Sequence, residues 1–367
     1  MQKPKWHFFD RLRSSGVSQK TVKKLNFIHE CKGKQDLFVI DKPEVLKTLL
    51  RVAMINSTVS SNAIENIVVS EKKVKALIEK RVKPKNRDEE EALGYKDVLH
   101  TIHESYEHIP VKPNYILQFH RDLFAHVKVG GNYGKWKMED NYITEEKPDG
   151  NKQVRFVPTP AYEVQDAMNE LCNRYNEEIK KQEIEPLLLI AEFIFVFLCI
   201  HPFDDGNGRV SRLLTLLLMH QNGYTVAKYI SIEKITERTK KDYYQALYDS
   251  SKYWDNQKYD SSYFTSYFLF LVSETYNSFL KKAINVTNVK KSKYQLIKEY
   301  FDNHIGKVTK SDIKESLPNI SETTIERTLK ILINKKVIEK FGDRKFAYYV
   351  KKSSCRLNRH RGKIYIL

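Results

Sequence analysis

Residues 201–212 read HPFDDGNGRVSR, and this short stretch decides how the rest of the chain is interpreted. His201 and acidic residues precede a turn that two glycines, Gly206 and Gly208, enclose. Glycine lets a backbone approach a ligand closely, and the free amide groups at the start of a following helix form an anion site that the helix dipole reinforces. The stretch therefore predicts a phosphate-binding turn that opens a helix.

Side chains around this turn suit a reaction at a phosphate group. Arg209 and Arg212 are three residues apart on the predicted helix, where guanidinium groups can grip phosphate oxygens in pairs. Cations at a helix N-terminus oppose the helix dipole, so their placement indicates an anionic ligand. Asp205 offers the oxygen ligand that Mg2+ requires, and His201 can act as a general base near neutral pH. The alternative is an ordinary helix start beside a core histidine.

Outward from this stretch, the first 280 residues are predicted to be mainly helical. Apolar residues recur with a helical period over residues 45–80, 88–108, 114–127, 162–181, 186–200 and about 208–221. The segment from Lys137 to Pro158 instead alternates on either side of Pro148, Asp149 and Gly150, which predicts a hairpin with its turn.

Aromatic residues are frequent in the helices after residue 221. Tyr243, Tyr244 and Tyr248 lie at helical spacing, and side chains of this kind are expected to be mostly core. An alternative role for the three tyrosines, in a ligand pocket, follows from a resemblance described below.

Beyond Asn285 the pattern changes to short amphipathic helices over residues 294–304, 309–316 and 321–335, followed by a hairpin over residues 341–350. Three short helices and a hairpin predict a winged helix-turn-helix, in which Ser321 caps the third helix. The side chains predicted to face a DNA groove are Thr323, Thr324, Arg327 and Lys330 on that helix, with Arg344 and Lys345 in the wing.

The net charge of +17 is concentrated at the C-terminus. Residues 281–367 contain 22 Lys and Arg against 8 Asp and Glu, which is +14, and the other 280 residues contribute +3. A basic block of this kind predicts a polyanionic partner such as nucleic acid. A dimerisation or docking module is the alternative, because many such folds do not touch DNA.

Composition is that of a soluble globular protein, with 41% apolar and 30% charged residues. The longest apolar stretch, residues 187–200, is interrupted by Glu192 and is shorter than the roughly 20 residues that a membrane-spanning helix needs. The N-terminus lacks the apolar core of a secretory signal, and the four cysteines show no paired spacing. We therefore predict a cytoplasmic protein without a membrane partner.

Residues 201–212 resemble the Fic family signature HxFx(D/E)GNGRxxR at every defined position. The hairpin over residues 137–158 is similar to the flap of that family, and the segment from Gly134 to Lys137 resembles the sequence that leads into it. The resemblance covers roughly residues 40–280. It implies a mainly α fold: a Fic-type helical core with a β-hairpin flap, here followed by the winged helix-turn-helix.

The resemblance implies transfer of AMP from ATP to a hydroxyl group of a protein. His201 would deprotonate the hydroxyl, which attacks the α-phosphate and expels pyrophosphate. Phe203 would anchor the loop in the core. The remaining roles are a Mg2+ ligand for Asp205, phosphate binding for Gly206, Asn207, Gly208 and Arg209, a γ-phosphate contact for Arg212, and adenine-pocket positions for the three tyrosines. An extended segment of the unknown target protein would dock on the edge of the flap.

A second pattern precedes the first, because Ser61, Glu65 and Asn66 stand in the sequence SNAIEN, which resembles the family's inhibitory pattern (S/T)xxxE(G/N). Glu65 would lie in the last turn of a helix ending at Asn66, where a negative charge is disfavoured unless a cation is near. Arg212 is the candidate cation. The pattern predicts that Glu65 pairs with Arg212 and blocks the γ-phosphate position; a surface glutamate is the alternative.

Four segments are predicted: residues 1–90, a helical region with the inhibitory pattern; 91–284, the catalytic core; 285–352, the winged helix; and 353–367, a basic tail. Some relatives transfer phosphocholine or UMP, phosphorylate, or remove AMP, although Gly208 and Arg212 favour AMP transfer over the kinase-like variant. A DNA-associated regulator remains the alternative from another class. The sequence leaves a homodimer open.

Overall fold

The computed structural model describes residues 6–14, 16–41, 43–79, 81–128, 130–146, 152–255, 258–287, 292–304, 306–343 and 347–352. The chain divides into two compact units, Met1–Ala283 and Ile284–Leu367, each with its own apolar core. The predicted boundary at residue 90 lies inside a helix of the first unit, and the four-segment division stays a prediction.

The described part of the first unit is helical apart from one hairpin. Its helices are α1 (Asp10–Ser14), α2 (Gln19–Asp41), α3 (Pro43–Ile64), α4 (Glu71–Ile78), α5 (Arg87–Ser105), α6 (Pro113–Leu123), α7 (Val164–Lys181), α8 (Pro186–Ile200), α9 (Asn207–Gln221), α10 (Ile232–Arg238), α11 (Lys240–Ser251) and α12 (Ser262–Thr287). Single 3-10 turns occur at Tyr106–His108, Ala161–Glu163 and Thr225–Lys228. The strands are β1 (Ile143–Glu146) and β2 (Lys152–Phe156).

Helix α8 is the centre of the first unit because it is apolar on every face. All residues from 187 to 200 are buried, and α7 and α9 pack against it. Glu192 is the charged exception, and its Oε1 accepts a hydrogen bond from the Tyr259 hydroxyl at 2.8 Å. Pro186 suits the first turn of the helix, whose N–H groups lack helical partners. Among the described residues, no helix is both long and apolar enough to cross a membrane.

Helices α3 and α4 divide the predicted 45–80 segment. Helix α3 ends at Ile64, two residues before the predicted end, in a Schellman turn. Asn66 has the left-handed φ of 63°, and the Ile67 amide donates to the Asn62 carbonyl at 3.0 Å. Glycine and asparagine tolerate this left-handed conformation better than other residues. The Gly or Asn at the last position of the pattern (S/T)xxxE(G/N) therefore serves to end the helix. Glu65 is thereby held at the C-terminal end of α3.

Strands β1 and β2 pair antiparallel, with Glu146 opposite Lys152 and Ile143 opposite Phe156. The hairpin lies within the predicted 137–158 segment, but its strands begin six residues after Lys137. The predicted turn residues, 148 to 150, lie outside the described residues. Strand β2 contacts α11, so the hairpin stands beside the helix that bears the three tyrosines.

The second unit contains α13 (Lys293–Asn303), α14 (Lys310–Ser316) and α15 (Glu322–Asn334), followed by the antiparallel pair β3 (Ile338–Phe341) and β4 (Tyr348–Lys351). These bounds agree closely with the predicted helices. Ser321 stands at the N-cap of α15, but its hydroxyl bonds to the Thr324 hydroxyl at 2.8 Å instead of a backbone amide. Residues 344 and 345 and the predicted basic tail lie outside the described residues.

Candidate active site

His201 ends helix α8 and faces a cavity of about 470 Å3. Its φ of 50° lies in the left-handed region, which turns the chain out of the helix and into the glycine-bracketed loop. Its Nδ1 is 3.3 Å from the carbonyl oxygen of Leu198. That contact favours the tautomer with the proton on Nδ1, which leaves Nε2 free to accept a proton.

Burial lowers the pKa of His201 to about 4, and the nearby positive charge of Lys137 adds to the effect. The imidazole is therefore neutral at pH 7, which is the form a general base needs. Lys137 is itself buried, and burial lowers its pKa to about 8. Its ammonium donates to Asn141 Oδ1 at 2.7 Å, and its backbone amide donates to the carbonyl of Pro202 at 2.8 Å.

Asp205 has an exposed side chain and uses one carboxylate oxygen within the loop. Oδ1 accepts from the amide of Gly206 at 2.6 Å and lies 3.3 Å from Arg209 Nη2. Oδ2 has a loose contact with Arg87 at 3.8 Å, and the side chain is 58% exposed. Mg2+ is commonly held by one or two carboxylates together with substrate phosphates, so this oxygen fits the predicted ligand. No cluster of three or more acidic, histidine or cysteine side chains forms a metal site among the described residues.

Asn207 uses its side chain to hold the loop together. Its Oδ1 accepts from the amide of Phe203 at 2.9 Å, and its Nδ2 donates to the carbonyl of the same residue at 2.7 Å. Phe203 is fully buried, as the sequence suggested. Because the side-chain amide of Asn207 is occupied, its predicted contribution to phosphate binding would rest on its backbone N–H at the start of α9.

Arg209 is 1% exposed and is not among the residues lining the cavity. Its Nη1 pairs with Glu91, which is 4% exposed, and its guanidinium lies 5.0 Å from the centre of the Phe124 ring. Glu91 also accepts from Arg87 Nε at 2.5 Å. The structure therefore directs Arg209 to Glu91 and Asp205, so its predicted phosphate contact would require rearrangement.

Arg212 joins helix α9 to the end of α3. Its Nε donates to Ser61 Oγ at 2.8 Å, and its Nη2 donates to the Ser61 carbonyl and to Glu65 Oε1, both at 2.8 Å. Arg212 is 8% exposed in its side chain, whereas Glu65 is 30% exposed and lines the cavity. The two sequence patterns, 140 residues apart, therefore meet at one ion pair.

Gly208 leaves the space that Glu65 occupies. A Cβ atom at this position would lie 2.1 Å from Glu65 Oε1 and 3.3 Å from Arg212 Nη1. Gly206 serves the backbone instead, since its φ is 82°. The second glycine of the motif is thus a packing requirement for the contact between Glu65 and α9.

Two walls complete the cavity. Residues 143, 144, 155 and 156 of the hairpin form one, and α11 supplies Tyr243, Tyr244 and Tyr248 to the other. Tyr243 is buried, as expected of a core residue, but Tyr244 and Tyr248 are 36% and 39% exposed. Arg155 lies 4.9 Å above the ring of Tyr248. The helical spacing of the tyrosines was the available signal that one face of α11 is aromatic.

Comparison with known proteins identifies the domain around this site. Residues 110–219 match the sequence model of the Fic/DOC family. This part of the chain is therefore similar to a Fic domain. A Fic family protein from Desulfovibrio desulfuricans G20 has the same fold over 92% of this chain and 97% of its own, with a TM-score of 0.61 and 20% identity. The Fic-1 structure of Caenorhabditis elegans, residues 134–508, gives a TM-score of 0.56 at 20% identity and covers 73% of each chain.

Relatives whose sequences resemble this part of the chain include two proteins named as adenylyltransferases. Protein adenylyltransferase fic-1 of C. elegans is 25% identical over 165 residues, which are 44% of this chain and 29% of the relative. A probable protein adenylyltransferase of Aquifex aeolicus is 30% identical over 121 residues, which are 28% of this chain and 37% of the relative. The match thus spans about a third of either relative's length.

Proposed function

We propose that this protein transfers AMP from ATP to a hydroxyl group of a target protein, and that Glu65 inhibits the reaction. The observation that carries the proposal is the arrangement around one cavity: a neutral His201, the start of α9 and an aromatic wall, with Arg212 held behind Gly208 by Glu65. The names of the relatives agree with this reaction class.

His201 supplies the base of the proposed reaction. Its Nε2 takes the proton of the target hydroxyl while the hydroxyl oxygen forms a bond to the α-phosphorus. The bond from that phosphorus to the oxygen bridging to the β-phosphate breaks, and pyrophosphate leaves with the electron pair. Such transfers depend mainly on positioning and charge neutralisation, which the amides opening α9 provide.

Asp205 would hold Mg2+ through its exposed Oδ2. The ion, when bound, neutralises negative charge on the phosphates. The tyrosines of α11 would receive the adenine ring, because aromatic faces suit a flat base and the cavity lies between them and His201. The edge of β1 and β2 would pair with an extended target segment and bring its hydroxyl group towards His201.

Inhibition follows from the position of Glu65. Its carboxylate already occupies Arg212 Nη2, and it lines the space that an ATP phosphate would enter. A γ-phosphate would have to compete for the guanidinium and would meet a like charge. ATP would therefore bind in a pose in which the α-phosphate is not aligned for attack.

The test is incubation with Mg2+ and ATP labelled at the α-phosphate, followed by intact mass and label retention. Four forms are compared: wild type, Glu65→Gly, Glu65→Gly with His201→Ala, and Glu65→Gly with His108→Ala. His108 is exposed and serves as a matched control. We expect a gain of one AMP in the second and fourth forms only. No gain in any form refutes AMP transfer, and equal gain in wild type and Glu65→Gly refutes inhibition.

Other reactions of the site are outcomes of the same design. A mass gain of phosphocholine, UMP or phosphate from the respective donor would replace the AMP proposal. Loss of a preformed AMP from a target, caused by wild type but not by Glu65→Gly, would assign AMP removal. The predicted cytoplasmic location and homodimer are separate proposals, which fractionation of cells and sedimentation of the purified protein address.

A second candidate function belongs to Ile284–Leu367, which we propose to be a winged helix that binds nucleic acid. Its net charge and the exposed Arg327 and Lys330 on α15 support this proposal. Binding of duplex DNA should weaken steeply with salt, and replacing both residues with alanine should lower the log–log slope by about 2. An unchanged slope refutes a role for α15, and salt-independent binding refutes the electrostatic interpretation.

A further inference from the structure

His120 on helix α6 contacts two separate segments of the site through its two ring nitrogens. Nδ1 accepts from the backbone amide of Gly134 at 2.9 Å, and Nε2 donates to the carbonyl oxygen of Asp205 at 3.0 Å. The side chain is 2% exposed, so these contacts exclude water. An amide can only donate and a carbonyl can only accept, so the tautomer with its proton on Nε2 is the one that satisfies both.

The peptide between Asp205 and Gly206 is held at both of its polar atoms, one of them by the second contact of His120. His120 binds the carbonyl oxygen, while the Asp205 carboxylate accepts from the amide of Gly206 at 2.6 Å. The orientation of this peptide therefore sets the direction in which the Asp205 carboxylate is held. Oδ1 is used within the loop, and Oδ2 lies 3.8 Å from Arg87 Nη2.

The His120 ring is also held rigidly in place. It stacks on Phe203 with the ring centres 3.8 Å apart and the planes 6° apart, and the edges of Phe124 and Tyr133 approach it. A Cβ atom on Gly206 would lie 3.0 Å from Phe124 and 3.4 Å from His120 Cδ2. A ring confined on these sides transmits its position to the loop instead of adjusting to it.

We propose that His120 is a positioning residue: it locks the Asp205 peptide against the segment that leads to the hairpin, and so aims the Asp205 carboxylate at the reacting phosphates. The proposal rests on the AMP-transfer function proposed above. Neither His120 nor Asp205 is among the residues lining the cavity, but Asp205 is 58% exposed and His120 only 2%, so His120 acts through Asp205 and not on substrate.

Three substitutions separate its two hydrogen bonds from its packing. His120→Gln retains a donor near Nε2, His120→Asn retains an acceptor near Nδ1, and His120→Phe retains the flat ring but neither hydrogen bond. In the Glu65→Gly background, we expect kcat to fall about 10- to 100-fold in the Asn and Phe variants, because small misplacements of a catalytic group are costly. The Gln variant should stay within about fivefold, and the KM for ATP should change less than about threefold in all three.

A purely structural role predicts a different pattern. Activity would then follow the melting temperatures of the three variants, and Phe, which retains the stacking on Phe203, would be the least affected. Either that order or an unchanged kcat in His120→Phe overturns the proposal.

A readout without turnover separates this proposal from the function on which it rests. In Glu65→Gly with His201→Ala, titration calorimetry gives the factor by which Mg2+ strengthens ATP binding, and Asp205→Asn sets its lower limit. His120→Phe should reduce the factor about tenfold towards that limit, and His120→Gln should not. If this pattern appears while Glu65→Gly transfers no AMP, the proposed reaction fails and the positioning role stands. An unchanged factor in His120→Phe refutes the positioning role.

Discussion

Replacing Gly208 with alanine should destabilise the protein when Glu65 is present and should not destabilise it when Glu65 is absent. The added Cβ would lie 2.1 Å from Glu65 Oε1, far inside the contact distance, so the glutamate must leave Arg212 Nη2. A hydrogen bond to a charged group contributes about 1.5–3 kcal/mol, and Arg212 would remain buried without its carboxylate. We therefore expect Gly208→Ala to lower the free energy of unfolding by about 1–2 kcal/mol.

The same substitution in Glu65→Ala meets no carboxylate. Gly208 lies in the first turn of α9, where alanine is favoured over glycine by up to about 1 kcal/mol. Gly208→Ala should then be neutral or stabilising, which gives a coupling between the two positions of about 1–3 kcal/mol in a double-mutant cycle. Urea denaturation of the four proteins measures it. Equal effects in both backgrounds would show that Glu65 does not occupy the space beside Gly208.

Three further predictions concern separate groups of the first unit. Glu233 is fully buried and accepts hydrogen bonds from three hydroxyl groups, so Glu233→Gln should lower the free energy of unfolding by about 1–3 kcal/mol. The control Glu237→Gln, at a partly exposed position, should change it by less than about 0.5 kcal/mol. Equal losses in the two variants would contradict this prediction. In Glu65→Gly, the rate of AMP transfer should be independent of pH above about 5 and should fall near pH 4, because the lowered pKa of His201 delays protonation of the imidazole to that range. A fall in rate that begins near pH 6.5 would show that the imidazole is unperturbed. In the same background, Asp205→Asn should reduce the rate of AMP transfer at least about 100-fold. The control Asp204→Asn, at the exposed neighbouring position, should reduce it less than about threefold. Similar losses in the two variants would refute the proposed role of Asp205 as a Mg2+ ligand.

Much of the site could be predicted because its chemistry is contiguous in sequence. A helix end, a glycine turn and a helix start within residues 201–212 have local geometry that the residue types largely determine. The second unit was predictable for a similar reason, since its helices are short and amphipathic and α14 begins with a Thr309 capping box. The contact between Glu65 and Arg212 was predicted from a family resemblance and a charge argument together.

Apart from Glu65, the partners that other helices supply could not be predicted. Glu91 is one acid in a run of four on α5, and only the packing of α5 against α9 selects it for Arg209. His120 stands in an ordinary amphipathic helix, and Glu233 follows a capping serine that gives no sign of a buried carboxylate. Each owes its role to residues more than 80 positions away, which periodicity and local propensity do not register.

The two arginines of α9 differ in how they are neutralised, and that difference bears on the proposed inhibition by Glu65. Both lie near a helix N-terminus, where a cation opposes the dipole, so each is stabilised by an anion. Arg209 receives Glu91 from a helix packed in the same core, with both side chains at most 4% exposed. Arg212 receives Glu65 from the end of α3, where the carboxylate is 30% exposed and lies against the helix dipole. Exchanging Glu65 for a phosphate would leave Arg212 neutralised and relieve α3 of an unfavourable charge, whereas removing Glu91 would take from the buried Arg209 its buried carboxylate partner and leave the contact with the exposed Asp205 at 3.3 Å. Under the proposed function, Arg212 is therefore the position at which a phosphate of ATP and the Glu65 carboxylate would compete on similar terms.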